Sequence, residues 1–149
     1  MSKNKFYIIG AIEPFWITQI DRYLETEKNP VIYIHSNGGD GDTACAIYDL
    51  IQNCGKQVTT IGIGRVESAG LYSLLAGHKR LAFPRTIFYY HPFNISDGRF
   101  FKKHTGKEKI FGSIFNKIHE EYFDIKKPLY FDVKEALARK VIHKIIKKL

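Results

Sequence analysis

Hydrophobic and polar positions alternate between two periods along this 149-residue chain. "KFYIIGAI" and "PVIYIHS" are short apolar runs rich in β-branched and aromatic residues, which predicts strands. Between them "PFWITQIDRYLETE" has helical spacing and a proline in its first turn. On that helix Phe15, Ile20 and Leu24 surround Trp16 at helical intervals, which assigns the tryptophan to the core or to a subunit contact. "GDTACAIYDLIQNC" is again helical, with Ala44, Ile47, Tyr48 and Ile51 on one face. "KQVTTIGIG" predicts a third strand, and the next helix starts within "GRVESAGLYSLLAG". Two short strands, "KRLAF" and "TIFYYH", flank a turn at Pro84. Residues 94–123 are polar and aromatic, with a helical pattern in their second half. A last helix is expected from about Val133, with Val141, Ile142, Ile145, Ile146 and Leu149 as one stripe and lysines opposite. Strands alternating with helices of about a dozen residues predict βαβ units and a mainly parallel sheet in one domain, 1–149.

Composition narrows the class. A chain this long, with 44% hydrophobic residues, can bury a real core. The longest apolar runs fall far short of the roughly 18 residues a membrane helix needs. "MSKNKFYIIG" runs straight into a strand and lacks a signal-peptide h-region, so the expected address is cytoplasmic, with no membrane partner. Cys45 and Cys54 make neither a disulfide framework nor a metal knuckle and read as inert thiols. Residues 1–75 carry a net −2 and residues 76–149 a net +10. The lysines of the basic half are scattered or sit in a final helical turn that favours cations, so nucleic acid is not the expected partner.

Chemistry is expected where strands end, because ligands of open α/β sheets collect at the carboxyl edge. "HSNGGDGD", "RVESAG" and "YYHPF" all fall at such ends. The glycine pair Gly38–Gly39 lets the backbone turn sharply and leaves an N–H uncovered by a side chain. Ser68 offers a hydroxyl at a strand-to-helix junction, followed by the N–H of Ala69, and His91 offers a base. Each has a plain alternative: a simple turn, a serine N-cap, a hydrogen-bonded half-buried imidazole. Their joint placement favours the chemical reading. "GDGDTA" also fits the dinucleotide fingerprint G-x-G-x-x-A, but Asp40 and Asp42 would repel a pyrophosphate. "VESAG" departs from G-x-S-x-G at Val66. No metal or other cofactor is expected.

Taken in order, these segments resemble the Clp protease proteolytic subunit (ClpP) family. "VIYIHSNGGDGDTACAIYDLIQ" resembles its strand, glycine loop and following helix, with Asn37 in place of a proline. "IGIGRVESAGLYSLLAG" resembles its serine segment, and "RLAFPRTIFYYHPF" the stretch ending in its histidine. The resemblance implies the ClpP/crotonase α/β fold: stacked ββα repeats, a mainly parallel sheet and a protruding helix–strand handle. It implies a serine endopeptidase with Ser68 as nucleophile, His91 as general base, and the N–H groups of Gly39 and Ala69 as oxyanion hole. It further implies peptide or unfolded-protein substrates and homo-oligomeric, heptameric rings, stacked in pairs in the family. The aromatics in 87–101 agree with oligomerisation.

Three departures stand out. The family's triad aspartate falls on Pro128, leaving the third member unassigned, with Asp124 and Asp132 near but out of register. Only "MSKNK" precedes the first strand, which weighs against docking to an AAA+ unfoldase. "NISDGRFFKK" replaces a glycine-rich strand that pairs substrate and contributes to contact between rings. Two alternatives follow: a catalytically weak subunit partnering an active paralogue, and a crotonase-like acyl-CoA-binding module. His35 is expected to pack or to orient the glycine loop; His78, His104, His119 and His143 are expected to be solvated.

Overall fold

The computed structural model describes residues 4–92 and 106–148. Leu149, Phe93 and the first part of the 94–123 stretch, with His104, therefore lie outside the described residues. The elements in chain order are β1 (Phe6–Ile9), α1 (Phe15–Thr26), β2 (Val31–Ser36), α2 (Gly41–Asn53), β3 (Thr59–Glu67) and α3 (Ala69–Leu75). They continue with β4 (Lys79–Ala82), β5 (Ile87–Tyr90), α4 (Lys107–His119), β6 (Leu129–Phe131), α5 (Val133–Ala138) and β7 (Lys144–Ile145). The chain divides into two compact units, Met1–Tyr89 with Tyr130–Leu149, and Tyr90–Leu129.

The larger unit is built on the expected parallel sheet, with strand order β1-β2-β3-β4-β7 and β5 beside β3. β2 is buried at three consecutive positions, Ile32, Tyr33 and Ile34. That is the pattern of a central parallel strand with both faces covered. Under α1, α2 and α3 lie fully buried Ile20, Ile47, Ile51 and Leu71. On α2, Ala44 joins that buried stripe and the Tyr48 ring packs 5.0 Å from Tyr72. The opposite side carries a smaller core of Tyr33, Ile61, Leu81 and Ile146. On its edge away from β2, β3 serves two partners: Thr59–Gly62 pair with β4 and Arg65–Glu67 with β5. Where its pairing changes, Arg65 N–H donates to His35 Nδ1 at 3.2 Å, and a Cβ on Gly64 would come within 2.7 Å of that nitrogen. His35 thus braces the bend of β3.

The C-terminus departs from expectation. The last helix stops at Ala138, and Lys144–Ile145 pair with β4 instead of continuing it. Lys140 takes φ +63°, Val141 N–H donates to Ala136 O at 2.9 Å, and Lys140 N–H to Leu137 O at 3.1 Å. This is a Schellman stop, with Lys140 in the seat usually held by glycine. The Arg80 guanidinium then holds the carbonyls of Val141 at 2.8 Å and Lys140 at 2.9 Å. Val141, Ile142 and Ile146, read as part of a helical stripe, are buried without a helix, because the outer edge of β4 offers backbone partners to a strand. β6 has no counterpart in the sequence reading. It pairs with β5 and stacks Tyr130 on Tyr89 at 4.1 Å.

The smaller unit centres on α4. Phe115, His119 and Phe123 are buried there with Tyr90, whose ring stacks on Phe123 at 4.3 Å. The expectation of a solvated His119 is therefore corrected. It follows Phe111 and Phe115 at four-residue steps, on the same face of α4, and is only 6% exposed. His78 is also not simply solvated: it is half-buried and accepts Val58 N–H at 3.1 Å. His143 is exposed, and its Nδ1 accepts Arg80 N–H at 3.0 Å.

Candidate active site

The glycine loop leaves β2 at Ser36 and turns at Gly38 (φ +106°) and Gly39 (φ +151°). Ile12 N–H donates to Gly38 O at 2.9 Å, and Asp40 N–H donates to Ile12 O at 2.8 Å. In such a parallel bridge Ile12 bonds to the residues on either side of Gly39. The N–H and C=O of Gly39 itself are therefore directed away from Ile12. A Cβ on Gly39 would sit 2.7 Å from Ile12 N, so close approach and backbone conformation both demand glycine. Asp40 caps α2 by accepting Thr43 N–H at 2.9 Å. A carboxylate thus occupies the helix start that a pyrophosphate would need, which removes the dinucleotide reading.

Ser68 joins β3 to α3 with φ +53° and ψ −120°. Among the described residues it and Lys140 are the two non-glycine residues with positive φ. The N-cap explanation fails, since the Ser68 side chain makes no capping bond to α3. The strain is instead held by the backbone on both sides. Ser68 N–H donates to Tyr89 O at 3.0 Å, and Ser68 O accepts Tyr72 N–H at 3.0 Å. Holding a non-glycine residue there costs about 1–3 kcal/mol, and such costs gather at functional sites. Ser68 is half-buried, whereas all seven residues of α3 behind it are buried.

The small residues after Ser68 explain its position. A Cβ on Gly70 would meet Ser36 Cβ at 2.9 Å, so the first turn of α3 lies directly against the end of β2. That contact brings the two loops together: a Cβ on Gly38 would sit 2.9 Å from Ser68 Cβ and 3.3 Å from Ser68 Oγ. Gly38, Gly39, Ser68 and Ala69 thus share one unit, with Ala69 in the first turn of α3.

His91 belongs to the smaller unit and is half-buried, with Nδ1 3.1 Å from Pro92 O. In the same unit the His119 pKa is lowered to about 4, first by burial and then by the charge of His91. The carboxylates considered for the third role have local tasks. Asp132 caps α5 by accepting Glu135 N–H at 3.0 Å, and Asp124 accepts Lys126 N–H at 3.0 Å. Among the described residues no cluster of three His, Cys, Asp or Glu side chains could hold a metal ion. The Cys45 thiol is pushed up to about 11 by burial, which suppresses thiolate chemistry.

A sequence model of the Clp protease family matches residues 17–99, more than half of the chain. The chain belongs to the Clp protease family. The match covers both loops and His91. Among Clp relatives, the ATP-dependent Clp protease proteolytic subunit of Carsonella ruddii is 33% identical over 107 residues, 66% of this chain and 55% of that protein. The ATP-dependent Clp protease proteolytic subunit 2 of Treponema denticola is 41% identical over 70 residues, 46% and 35% of the two chains. The chain thus spans about half, or less, of the length of these relatives. The Clp fold extends further than these alignments. ClpP1 from Listeria monocytogenes superposes with a TM-score of 0.82 at 22% identity, covering 97% of this chain and 92% of that one. Its N165D mutant gives the same score, covering 98% and 92%.

Proposed function

We propose that this chain is a single ClpP-like serine endopeptidase domain. Ser68 Oγ attacks a peptide carbonyl, and His91 takes the hydroxyl proton and returns it to the leaving amine. The acyl-enzyme is then released by water, with the same histidine as base. The N–H groups of Gly39 and Ala69 hold the oxyanion; one such donor contributes about 3–4 kcal/mol of barrier lowering, and a placed acid–base about 10²–10⁴ in rate. The observation that carries this reading is the strained positive-φ backbone of Ser68, which serves no helix cap.

The substrates are peptides or unfolded proteins, and the working form is a homo-oligomer of heptameric rings in the cytoplasm. Large apolar side chains exposed on the single chain support assembly: Tyr7, Ile9, Phe15, Ile87 and Tyr130 are all at least 45% exposed. No helix among the described residues is long and apolar enough to cross a membrane. A serine-directed fluorophosphonate probe tests the nucleophile. Labelling is expected on the parent and lost in Ser68→Ala; labelling that survives in that variant removes Ser68 from the role.

One observation favours a second reading. Pro128 supplies no carboxylate at the family's third position, which fits a weak subunit that works beside an active paralogue. Cleavage of a short peptide by the purified chain, with no paralogue or AAA+ unfoldase added, excludes it.

A further inference from the structure

We propose that the main-chain carbonyl of Pro92 orients the His91 imidazole. This rests on His91 being the general base. In a serine–histidine pair the third group has two tasks: to hold the proton on Nδ1, so that Nε2 carries the lone pair, and to stabilise the imidazolium. A carbonyl oxygen accepting Nδ1–H performs the first fully and the second only through its dipole. Nδ1 of His91 lies 3.1 Å from Pro92 O, within the range of an N–H···O bond.

The sequence "HPF" builds this contact locally. Proline fixes its own φ near −65° and keeps the preceding residue extended, which leaves ψ of residue 92 and the histidine χ angles as the torsions that set this contact. The acids nearest in sequence to the vacant position each accept a backbone N–H with one oxygen. Asp132 is the N-cap of α5, and Asp124 closes a turn onto Lys126. His119, the buried imidazole of the same unit, is kept neutral by its surroundings and adds no negative charge.

The test is a two-bond proton–nitrogen NMR spectrum of the full chain in the Ser68→Ala background, which reads the tautomer without any turnover. His91 is expected with its proton on Nδ1 at a pH where the ring is neutral. Pro92→Gly is expected to mix the two tautomers and, in the active background, to lower kcat at least 10-fold with KM unchanged. Asp124→Asn and Asp132→Asn are expected to leave the tautomer and kcat within about 3-fold of the parent; asparagine retains the capping oxygen in both. The inference is overturned by a proton on Nε2 in the parent. It is equally overturned by a loss in kcat approaching the roughly 10⁴-fold of a broken triad in either aspartate variant. Probe labelling that persists in Ser68→Ala, by contrast, defeats the peptidase reading and leaves the tautomer result standing.

Discussion

Ser68 and Lys140 both take a positive φ that non-glycine residues rarely adopt, and they reach it for opposite reasons. At Lys140 the left-handed turn completes two hydrogen bonds that end α5, and glycine would serve as well. At Ser68 no capping bond explains the strain. The residue is held from β5 and α3 so that a side chain, and not merely a turn, stands at the end of β3. One positive-φ residue is explained by the chain's own geometry. The other has no such capping bond, and the proposed nucleophile role gives its hydroxyl a purpose there.

Substituting both positions separates the two explanations. Ser68→Ala should lower kcat by about 10⁶, the scale of losing a nucleophile, while Lys140→Ala leaves kcat unchanged; peptide turnover measures both. Equal activity in the two variants would erase the distinction. Gly39→Ala comes next. Its new Cβ meets the Ile12 backbone, so stability should fall by about 1–3 kcal/mol in chemical denaturation. Displacing an oxyanion donor should also cost about 10²–10³ in kcat.

A third experiment contrasts the two units. His119 is held neutral, with its pKa near 4 against 6.5 in the unfolded chain. Its contribution is complete above pH 6.5 and is lost as pH falls towards 4, up to about 3 kcal/mol, because the unfolded state takes up the proton first. Protection factors of the α4 amides, taken relative to the intrinsic exchange rate at each pH, should therefore fall across that window, and His119→Phe should flatten the dependence. The smallest effect is the most pointed. Ser68→Gly and Lys140→Gly should each stabilise the fold by up to about 1 kcal/mol in thermal unfolding, as glycine relieves the positive φ. The first should abolish peptidase activity and the second should preserve it.

Much of this was legible in the chain. The apolar run of β2, the stripe Ala44–Ile47–Ile51 of α2 and the glycine pair after Ser36 are encoded within a few residues. So was the order of glycine loop, serine junction and histidine segment that carried the family resemblance. Other features were misread for identifiable reasons. His119 looked solvated beside "EEYFDIKK", although Phe111 and Phe115 precede it on the same helical face. The C-terminal residues have a helical stripe, but Lys140 breaks the helix and the edge of β4 captures the segment as a strand. "LYF" is too short to signal a strand without β5 beside it.

Residue order by itself determined the alternating elements, the parallel sheet and the loops on which chemistry was expected, because periodicity and turn chemistry act over neighbouring positions. Only the tertiary structure decided that Ser68 is strained rather than capping, that Gly39 is forced by Ile12, and that β7 replaces a helix. Each of those outcomes depends on a hydrogen bond or a close approach from a residue distant in the chain: Tyr89 at Ser68, Ile12 at Gly39, Arg80 at the C-terminal turn. A local pattern cannot contain its partner's position, and so it could not announce these three.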